Sequence, residues 1–218
     1  MAGIEISSKK SLPELLNITK GSVVAVVGCG GKTSFIEKIA AECTDMKVLI
    51  TPTTKILYPQ NSGVVCNSIE DCKKHKPRLG VQYFGQLNEK TNKLEALPLE
   101  ILAKIVTKYD VVLMEADGSR GLLLKGWKTT EPVVPDFTTH TIGVINIDAL
   151  GKPANNDTVF NLHEFLELTG INENDQITMQ TLEDMAFKPG GMFKNSRGQK
   201  YLAMVGGSTW EVLKIIKL

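Results

Sequence analysis

The feature that most constrains the fold is an apolar run, residues 23–27, that leads directly into Gly28-Cys-Gly-Gly-Lys-Thr-Ser34. When a buried strand ends in glycines, backbone N–H groups can converge, and a helix that begins there points its positive dipole end at the same place. Lys32 can then reach the outer phosphates of a ligand, and the Thr33 hydroxyl can bind Mg²⁺. The segment, called the glycine-rich loop below, predicts a phosphate-binding turn.

The glycine-rich loop departs from the usual nucleotide-binding pattern in one respect. That pattern has its first glycine five residues before Gly31, where this chain has Val26. A shorter or differently wound turn is therefore expected, and an ordinary flexible strand-to-helix turn is the alternative. Cys29 lies inside the turn, where a helix N-terminus can lower the pKa of a thiol, so that its oxidation would block nucleotide binding.

Composition excludes several other classes of protein. The 218-residue chain has 25 Lys and Arg against 24 Asp and Glu, so no broad positive field favours nucleic acid. No apolar run approaches the roughly 20 residues that cross a bilayer, and the first residues lack the pattern of a secretory signal. The four cysteines lack the spacing of a metal site and are typical of free thiols. We expect a cytoplasmic protein with no nucleic-acid or membrane partner.

Strand and helix patterns alternate along the chain, which predicts one α/β domain over residues 1–218 with a mainly parallel sheet flanked by helices. The expected architecture is like that of P-loop NTPases, with strand 111–115 beside strand 23–27. A small irregular insertion, residues 56–97, is expected to carry a hairpin with arms at 81–85 and 93–96. Further expected elements are strands 47–51, 141–147 and 201–205, and helices at 33–43, 99–108, 157–168, from 178, and 208–218.

Acidic residues follow the apolar run 111–114, at the sheet edge where open parallel sheets bind ligands. Glu115 and Asp117 are therefore candidate catalytic or metal-binding residues. We expect Asp117 to hold the metal and Glu115 to orient water, although Asp117 with Gly118 can also simply cap a turn. Arg120 and Lys125 follow as cations that can neutralise transferred phosphate or pair with these carboxylates.

The segment after the second strand carries hydroxyls at the same edge. Thr51, Thr53 and Thr54 can contact a terminal phosphate, a metal or the attacking water, and Lys55 adds a mobile cation. An ordinary turn around Pro52 is the alternative.

Taken in order, these segments resemble one protein family. They are Gly28-Cys-Gly-Gly-Lys-Thr-Ser34, Thr51-Pro-Thr-Thr-Lys-Ile56, Glu115-Ala-Asp-Gly-Ser119 with Leu124-Lys-Gly126, Glu131-Pro-Val-Val-Pro135, the run 143–152 and the run 159–163. The chain resembles the YqeC-type accessory proteins associated with selenium-dependent molybdenum hydroxylases. The resemblance implies a P-loop-like nucleotide-binding protein that acts in maturing such a hydroxylase or its cofactor. The resemblance therefore indicates a biological pathway, but it does not identify the reaction that the protein catalyses.

The expected ligand is Mg²⁺ with ATP, and GTP is possible. A guanine-reading Asn-Lys-x-Asp segment is not found on the late strand, which runs Met204-Val-Gly-Gly-Ser208. Hydrolysis or phosphoryl transfer would use Asp117, Glu115 and Lys125, with Thr33 and Asp117 at the metal. The expected nucleotide-binding residues are Gly28, Cys29, Gly30, Gly31, Lys32, Thr33, Ser34, Thr53, Thr54 and Lys55.

Two alternatives remain open at this point. The spacing of Gly28, Gly31, Lys32 and Thr33 is similar to the phosphate loop of Mur-type amide ligases, which activate a carboxylate as an acyl phosphate. A ligase- or kinase-like enzyme is therefore one alternative. A non-catalytic cofactor carrier or chaperone is the other.

Overall fold

The secondary structure alternates as the sequence patterns indicate. A computed structural model describes residues 3–4, 10–59 and 65–218. Its helices are α1 (Leu12–Leu15), α2 (Lys32–Glu42), α3 (Ile69–Lys74), α4 (Leu99–Val106), α5 (Leu162–Thr169) and α6 (Met179–Phe187). Its strands are β1 (Gly3–Ile4), β2 (Ser22–Gly28), β3 (Lys47–Pro52), β4 (Lys55–Leu57), β5 (Val65–Cys66), β6 (Gly80–Phe84), β7 (Gln86–Asn88), β8 (Lys93–Glu95), β9 (Val111–Glu115), β10 (Leu124–Lys125), β11 (His140–Asn146), β12 (Val159–Phe160), β13 (Gln199–Gly206) and β14 (Glu211–Lys217).

A large sheet forms the centre of the described chain, in the order β1-β14-β13-β11-β2-β9-β3-β6-β5. The strands from β13 to β5 are paired in parallel, and β14 runs antiparallel to both β13 and β1. The predicted α/β class with a mainly parallel sheet is confirmed. The predicted neighbours are also confirmed, because β2 pairs with β9 over its first five residues. The carboxyl ends of these two central strands therefore meet at one edge.

Both faces of the central sheet are buried, which explains why β2 is a continuous apolar run. Successive side chains of a strand point to opposite faces. Val23, Ala25 and Val27 accordingly pack into one core, which includes side chains of α4, α5 and α6. Val24 and Val26 pack into the other, with side chains of α1 and α2. The two cores hold β2 rigidly on both sides up to the start of the glycine-rich loop.

The predicted insertion is smaller than residues 56–97. Within that range β5 and β6 belong to the central sheet, and only β4, β7 and β8 form a separate three-stranded antiparallel sheet. A hairpin with a polar tip is present, but its first arm is β7 rather than residues 81–85. Residues 80–84 instead form β6 of the central sheet, beside β3 and β5, because their alternating pattern fits either position.

Two predicted helices differ in the structure. The segment expected as a terminal helix, residues 208–218, contains strand β14, which pairs with β13. Val212, Ile215 and Ile216 are β-branched, and pairing with the exposed side of β13 outweighs a marginal helical pattern. The helix expected from Asp157 begins at Leu162, because Val159 and Phe160 form β12 beside β10. The helix after Thr178 is confirmed, with Thr178 as its N-cap.

Among the described residues, no helix is long and apolar enough to cross a membrane.

Candidate functional site

The glycine-rich loop turns sharply between β2 and α2. Gly28, Gly30 and Gly31 have positive φ angles of 103°, 69° and 136°. A Cβ atom on Gly28 would lie 2.2 Å from the Val144 carbonyl oxygen, so no side chain fits there. Gly31 is the N-cap of α2 and offers no side-chain cap, which leaves the first amides of the helix to water or a ligand. The loop thus has the backbone geometry that an anion site requires.

Lys32 is buried at the start of α2. Its side chain curls back, and Nζ donates to the Gly28 carbonyl oxygen at 2.8 Å. The same ammonium lies 3.2 Å from Asp117 Oδ1 and 3.9 Å from Glu115 Oε1. Burial opposes the charge, but the carboxylates of Asp117 and Glu115 prevail and raise the pKa of Lys32. Lys32 is therefore charged and joins the loop to the end of β9.

Asp117 is fully buried and is engaged by protein groups on several sides. Its Oδ2 accepts the Gly28 N–H at 3.1 Å and the Trp127 indole N–H at 2.7 Å. Lys125 Nζ lies 3.7 Å from the same oxygen. Asp117 and Lys32 share a site as predicted, but Asp117 does not line the cleft described below. Its contacts hold the loop and Lys32 in place.

Glu115 faces the cleft and contacts the first turn of α2. The Thr33 hydroxyl donates to Glu115 Oε2 at 2.8 Å. Burial raises the pKa of Glu115, and Lys32 and Thr33 offset only part of that effect. The backbone carbonyl of Glu115 accepts the Thr53 N–H at 3.0 Å, which fixes the end of β3 against the end of β9. Glu115 and Thr33 thus present adjacent oxygen atoms to the cleft.

Lys125 lies behind this group rather than in the cleft. It is fully buried, donates to the Gly118 carbonyl oxygen at 2.8 Å and pairs with Glu131 at 3.2 Å. Because it does not line the cleft, its predicted catalytic role is not supported by its position. Its contacts with Asp117 and Gly118 instead hold the loop after β9.

The cleft itself has a volume of about 820 Å³, within the usual range for small-molecule sites. Its walls include Gly30, Gly31, Lys32, Thr33, Ser34, Thr54, Lys55, Glu115, Arg120, Glu131 and Phe160. The Thr54 hydroxyl is buried and has no hydrogen-bond partner in the described chain, so it is free for a ligand. The Thr53 hydroxyl instead donates to the Val133 carbonyl oxygen, and Lys55 pairs with Glu95 on the rim.

A second cavity of about 510 Å³ adjoins the cleft and shares Thr33, Ile56, Leu57 and Glu115 with it. Its other walls are mainly apolar and aromatic: Ile36, Glu37, Ile50, Tyr58, Pro59 and Tyr83. No pattern in the sequence indicates this cavity, because its residues come from five separate elements, α2, β3, β4, β6 and β9, and from the segment after β4.

Cys29 does not have the reactive character that its place in the loop suggested. The thiol is fully buried, and burial raises its pKa to about 12. Its backbone N–H donates to the Val144 carbonyl oxygen at 3.1 Å. The residue therefore anchors the loop to β11, and its thiol is unreactive near neutral pH.

Three contributors to the site were missed from the sequence. Trp127 donates to Asp117, Glu131 pairs with Lys125, and the Asn146 amide donates to the Gly30 carbonyl oxygen at 2.8 Å. A usable signal existed for Asn146, a polar residue at the end of the apolar strand β11. Trp127 and Glu131 lie in a loop with no periodic pattern, so only the fold brings them here.

Comparison with known proteins identifies the family. The model of the YqeC protein family matches residues 24–163, more than half of the chain and the part that contains the glycine-rich loop, Glu115 and Asp117. An uncharacterised protein YqeC of Escherichia coli (strain K12) is 29% identical over 181 residues, which cover 80% of this chain and 71% of the relative. No solved structure matches. The motifs, their order and the family match agree, and the chain belongs to the YqeC family.

Proposed function

We propose that this chain is a P-loop-like protein that binds a nucleoside triphosphate, preferably ATP, in the cleft at the glycine-rich loop. The observation that carries the proposal is the meeting of Lys32, Thr33 and Glu115 where β2 gives way to α2 beside the end of β9. Uncapped helix amides, a buried lysine and a hydroxyl next to a carboxylate are the groups that triphosphate binding requires. The orphaned Thr54 hydroxyl, which also lines the cleft, offers a further donor.

The same residues suit a magnesium ion. Magnesium prefers oxygen ligands and usually binds through one or two protein groups plus phosphates and water. Thr33 Oγ1 and Glu115 Oε2 are such oxygens, 2.8 Å apart on the cleft wall. Among the described residues, no group of three or more His, Cys, Asp or Glu side chains could hold a metal ion. A magnesium ion would therefore need oxygen ligands from the nucleotide as well. We therefore assign the metal to Thr33 and Glu115, and give Asp117 the role of holding Lys32. When bound, the ion would neutralise charge on the outer phosphates.

The protein's own groups would act mainly by position. The helix amides and Lys32 bind the phosphates, Asp117 fixes Lys32, and Glu115 orients a water molecule toward the terminal phosphorus. In hydrolysis that water attacks, the bond from the terminal phosphorus to the bridging oxygen breaks, and ADP, inorganic phosphate and one proton are released. No protein group needs to form or break a covalent bond in this reaction.

The apolar cavity favours a second candidate, transfer of the phosphoryl group to an acceptor other than water. The cavity shares Thr33 and Glu115 with the cleft, so a molecule in it would lie beside the terminal phosphate. A ligase- or kinase-like enzyme has this arrangement of two adjoining sites. Such an enzyme would turn over ATP slowly until its acceptor is supplied.

The biological role that we propose rests on the resemblance described in the sequence analysis rather than on the site. The nucleotide cycle would serve the maturation of a selenium-dependent molybdenum hydroxylase or its cofactor, in the cytoplasm. If the chain is instead a cofactor carrier or chaperone, nucleotide binding without turnover is expected, or no nucleotide binding at all.

The first experiment is calorimetric titration with Mg-ATP and Mg-GTP, together with phosphate-release assays. Thr33→Val removes the hydroxyl without changing side-chain volume, and Thr44→Val is a matched control on an exposed threonine. We expect Mg-ATP affinity to fall by about tenfold or more in T33V and to be unchanged in T44V. Failure of the parent chain to bind any nucleoside triphosphate would refute the proposal.

A further inference from the structure

We infer that Arg120 contacts the terminal phosphate of the bound nucleotide, so that the site distinguishes a triphosphate from a diphosphate within a single chain. The inference rests on the proposed nucleotide site and adds to it a residue that senses the state of the nucleotide. Three observations support it: the backbone conformation of the loop after β9, the surroundings of the Arg120 guanidinium, and the position of Arg120 in the wall of the cleft.

The loop that carries Arg120 is strained and firmly held. Arg120 has a φ of 51° and Gly121 a φ of 78°, and the Leu122 N–H donates to the Ser119 carbonyl oxygen at 2.9 Å. Two central residues with positive φ are typical of a type I′ turn, in which glycine or asparagine is normally favoured. An arginine in the left-handed region costs stability, and such strain is concentrated at functional sites.

The Arg120 side chain is exposed and directed by an aromatic ring rather than by an acid. Its guanidinium carbon lies 4.9 Å from the centre of the Phe160 ring. No ion pair or hydrogen bond engages the guanidinium within the part of the chain that the structure describes. Stacking restricts the motion of an arginine while leaving its N–H donors free. Arg120 is thus a positioned cation without an anion.

Arg120 also lines the cleft that contains the proposed phosphate site. Arg120 and Phe160 line the same cleft as Gly31, Lys32 and Thr33. The helix amides of the glycine-rich loop hold the inner phosphates, and the terminal phosphate extends toward Glu115 at the end of β9. Arg120 follows Glu115 by five residues, in the loop after β9. A terminal phosphate in this cleft would give the Arg120 guanidinium the anion that it lacks.

The test compares a non-hydrolysable ATP analogue with ADP, each in the presence of Mg²⁺, by calorimetric titration. The variants are Arg120→Ala and Arg120→Asn; asparagine tolerates the left-handed backbone, so its variant keeps the test informative if alanine disturbs folding. Arg78→Ala, at an exposed arginine far from the cleft in sequence, is the matched control. Circular dichroism confirms that each variant is folded.

We expect both Arg120 variants to lose about tenfold or more of their affinity for the ATP analogue, while ADP affinity changes less than about twofold. Arg78→Ala should resemble the parent with both ligands. Equal losses for the two nucleotides, or no loss, in a folded Arg120 variant would overturn the inference while leaving nucleotide binding intact. If the parent binds neither nucleotide, the proposed function fails, and this inference fails with it.

Discussion

A double-mutant cycle on Lys32 and Asp117 tests the most consequential contact of the structure. Their charged atoms lie 3.2 Å apart, and both side chains are 2% exposed or less. Removing one member of such a pair leaves a buried charge without its partner, at a cost of about 3–5 kcal/mol. When Lys32 is removed, Lys125, 3.7 Å from Asp117, compensates in part; when Asp117 is neutralised, Glu115, 3.9 Å from Lys32, does so. We therefore expect about 3 kcal/mol for each single substitution.

The substitutions are chosen to keep shape. Lys32→Met keeps most of the stem, and Asp117→Asn keeps one oxygen that can still accept the Gly28 and Trp127 N–H groups. For a chain of this length, a loss of about 3 kcal/mol corresponds to a fall in Tm of about 6–12 °C. Lys38→Met, at an exposed lysine of the same helix, is the control and should have little effect.

The decisive quantity is the coupling energy, measured by urea unfolding of the parent, both single variants and the double variant. Because the double variant removes both charges, its free energy of unfolding should exceed the additive expectation by about 2 kcal/mol. Additivity within about 0.5 kcal/mol would show that the two groups do not depend on each other, and the account of Asp117 as the residue that holds Lys32 would be wrong.

Three further predictions concern single residues. Glu115→Gln should stabilise the protein at neutral pH, because burial raises the pKa of Glu115 and its carboxyl favours folding only while it is protonated. The gain in stability over the parent should therefore appear as the pH rises through the raised pKa, and it should vanish below the ordinary value of 4.5. Thermal melts at a series of pH values measure this difference. Cys29 should resist alkylation by iodoacetamide in the folded protein at pH 8, because burial raises its pKa to about 12; peptide mass spectrometry showing rapid labelling would contradict this. Gly28→Ala should lower the free energy of unfolding by at least about 3 kcal/mol, because its Cβ would lie 2.2 Å from the Val144 carbonyl oxygen. Gly21→Ala is the control: its Cβ would meet open space, so at a φ of 89° it should lose less stability, through backbone strain alone.

The sequence could predict the parts of the fold that depend on local pattern. The run at β2 and the glycines after it determine a buried strand and a turn without any distant contact. The neighbouring position of β9 followed from the usual geometry of such sites, and it is confirmed. The strand β14 was missed because its pattern is compatible with a helix, and only the free side of β13 decides between the two.

The sequence could predict which residues meet at the candidate site, but not which of their side chains face the cleft. Lys32, Glu115 and Asp117 were brought together as expected. Which carboxylate faces the cleft depends on Trp127 and on the amide of Gly28, which engage Asp117 from distant positions in the chain. No periodicity encodes those contacts.

The ionic group around Lys32 bears on the form of nucleotide that the proposed site would accept. Lys32 and Lys125 contribute two positive charges, whereas Glu115, Asp117 and Glu131 contribute three negative charges, so the connected group has a formal net charge of −1. A bare triphosphate would add further negative charge beside Glu115, whereas a divalent cation that accompanies it would offset part of that charge. Metal and nucleotide should therefore bind with positive and reciprocal coupling: the apparent affinity for one rises with the concentration of the other. In the function that we propose, the buried carboxylates would favour the metal–nucleotide complex over phosphate alone.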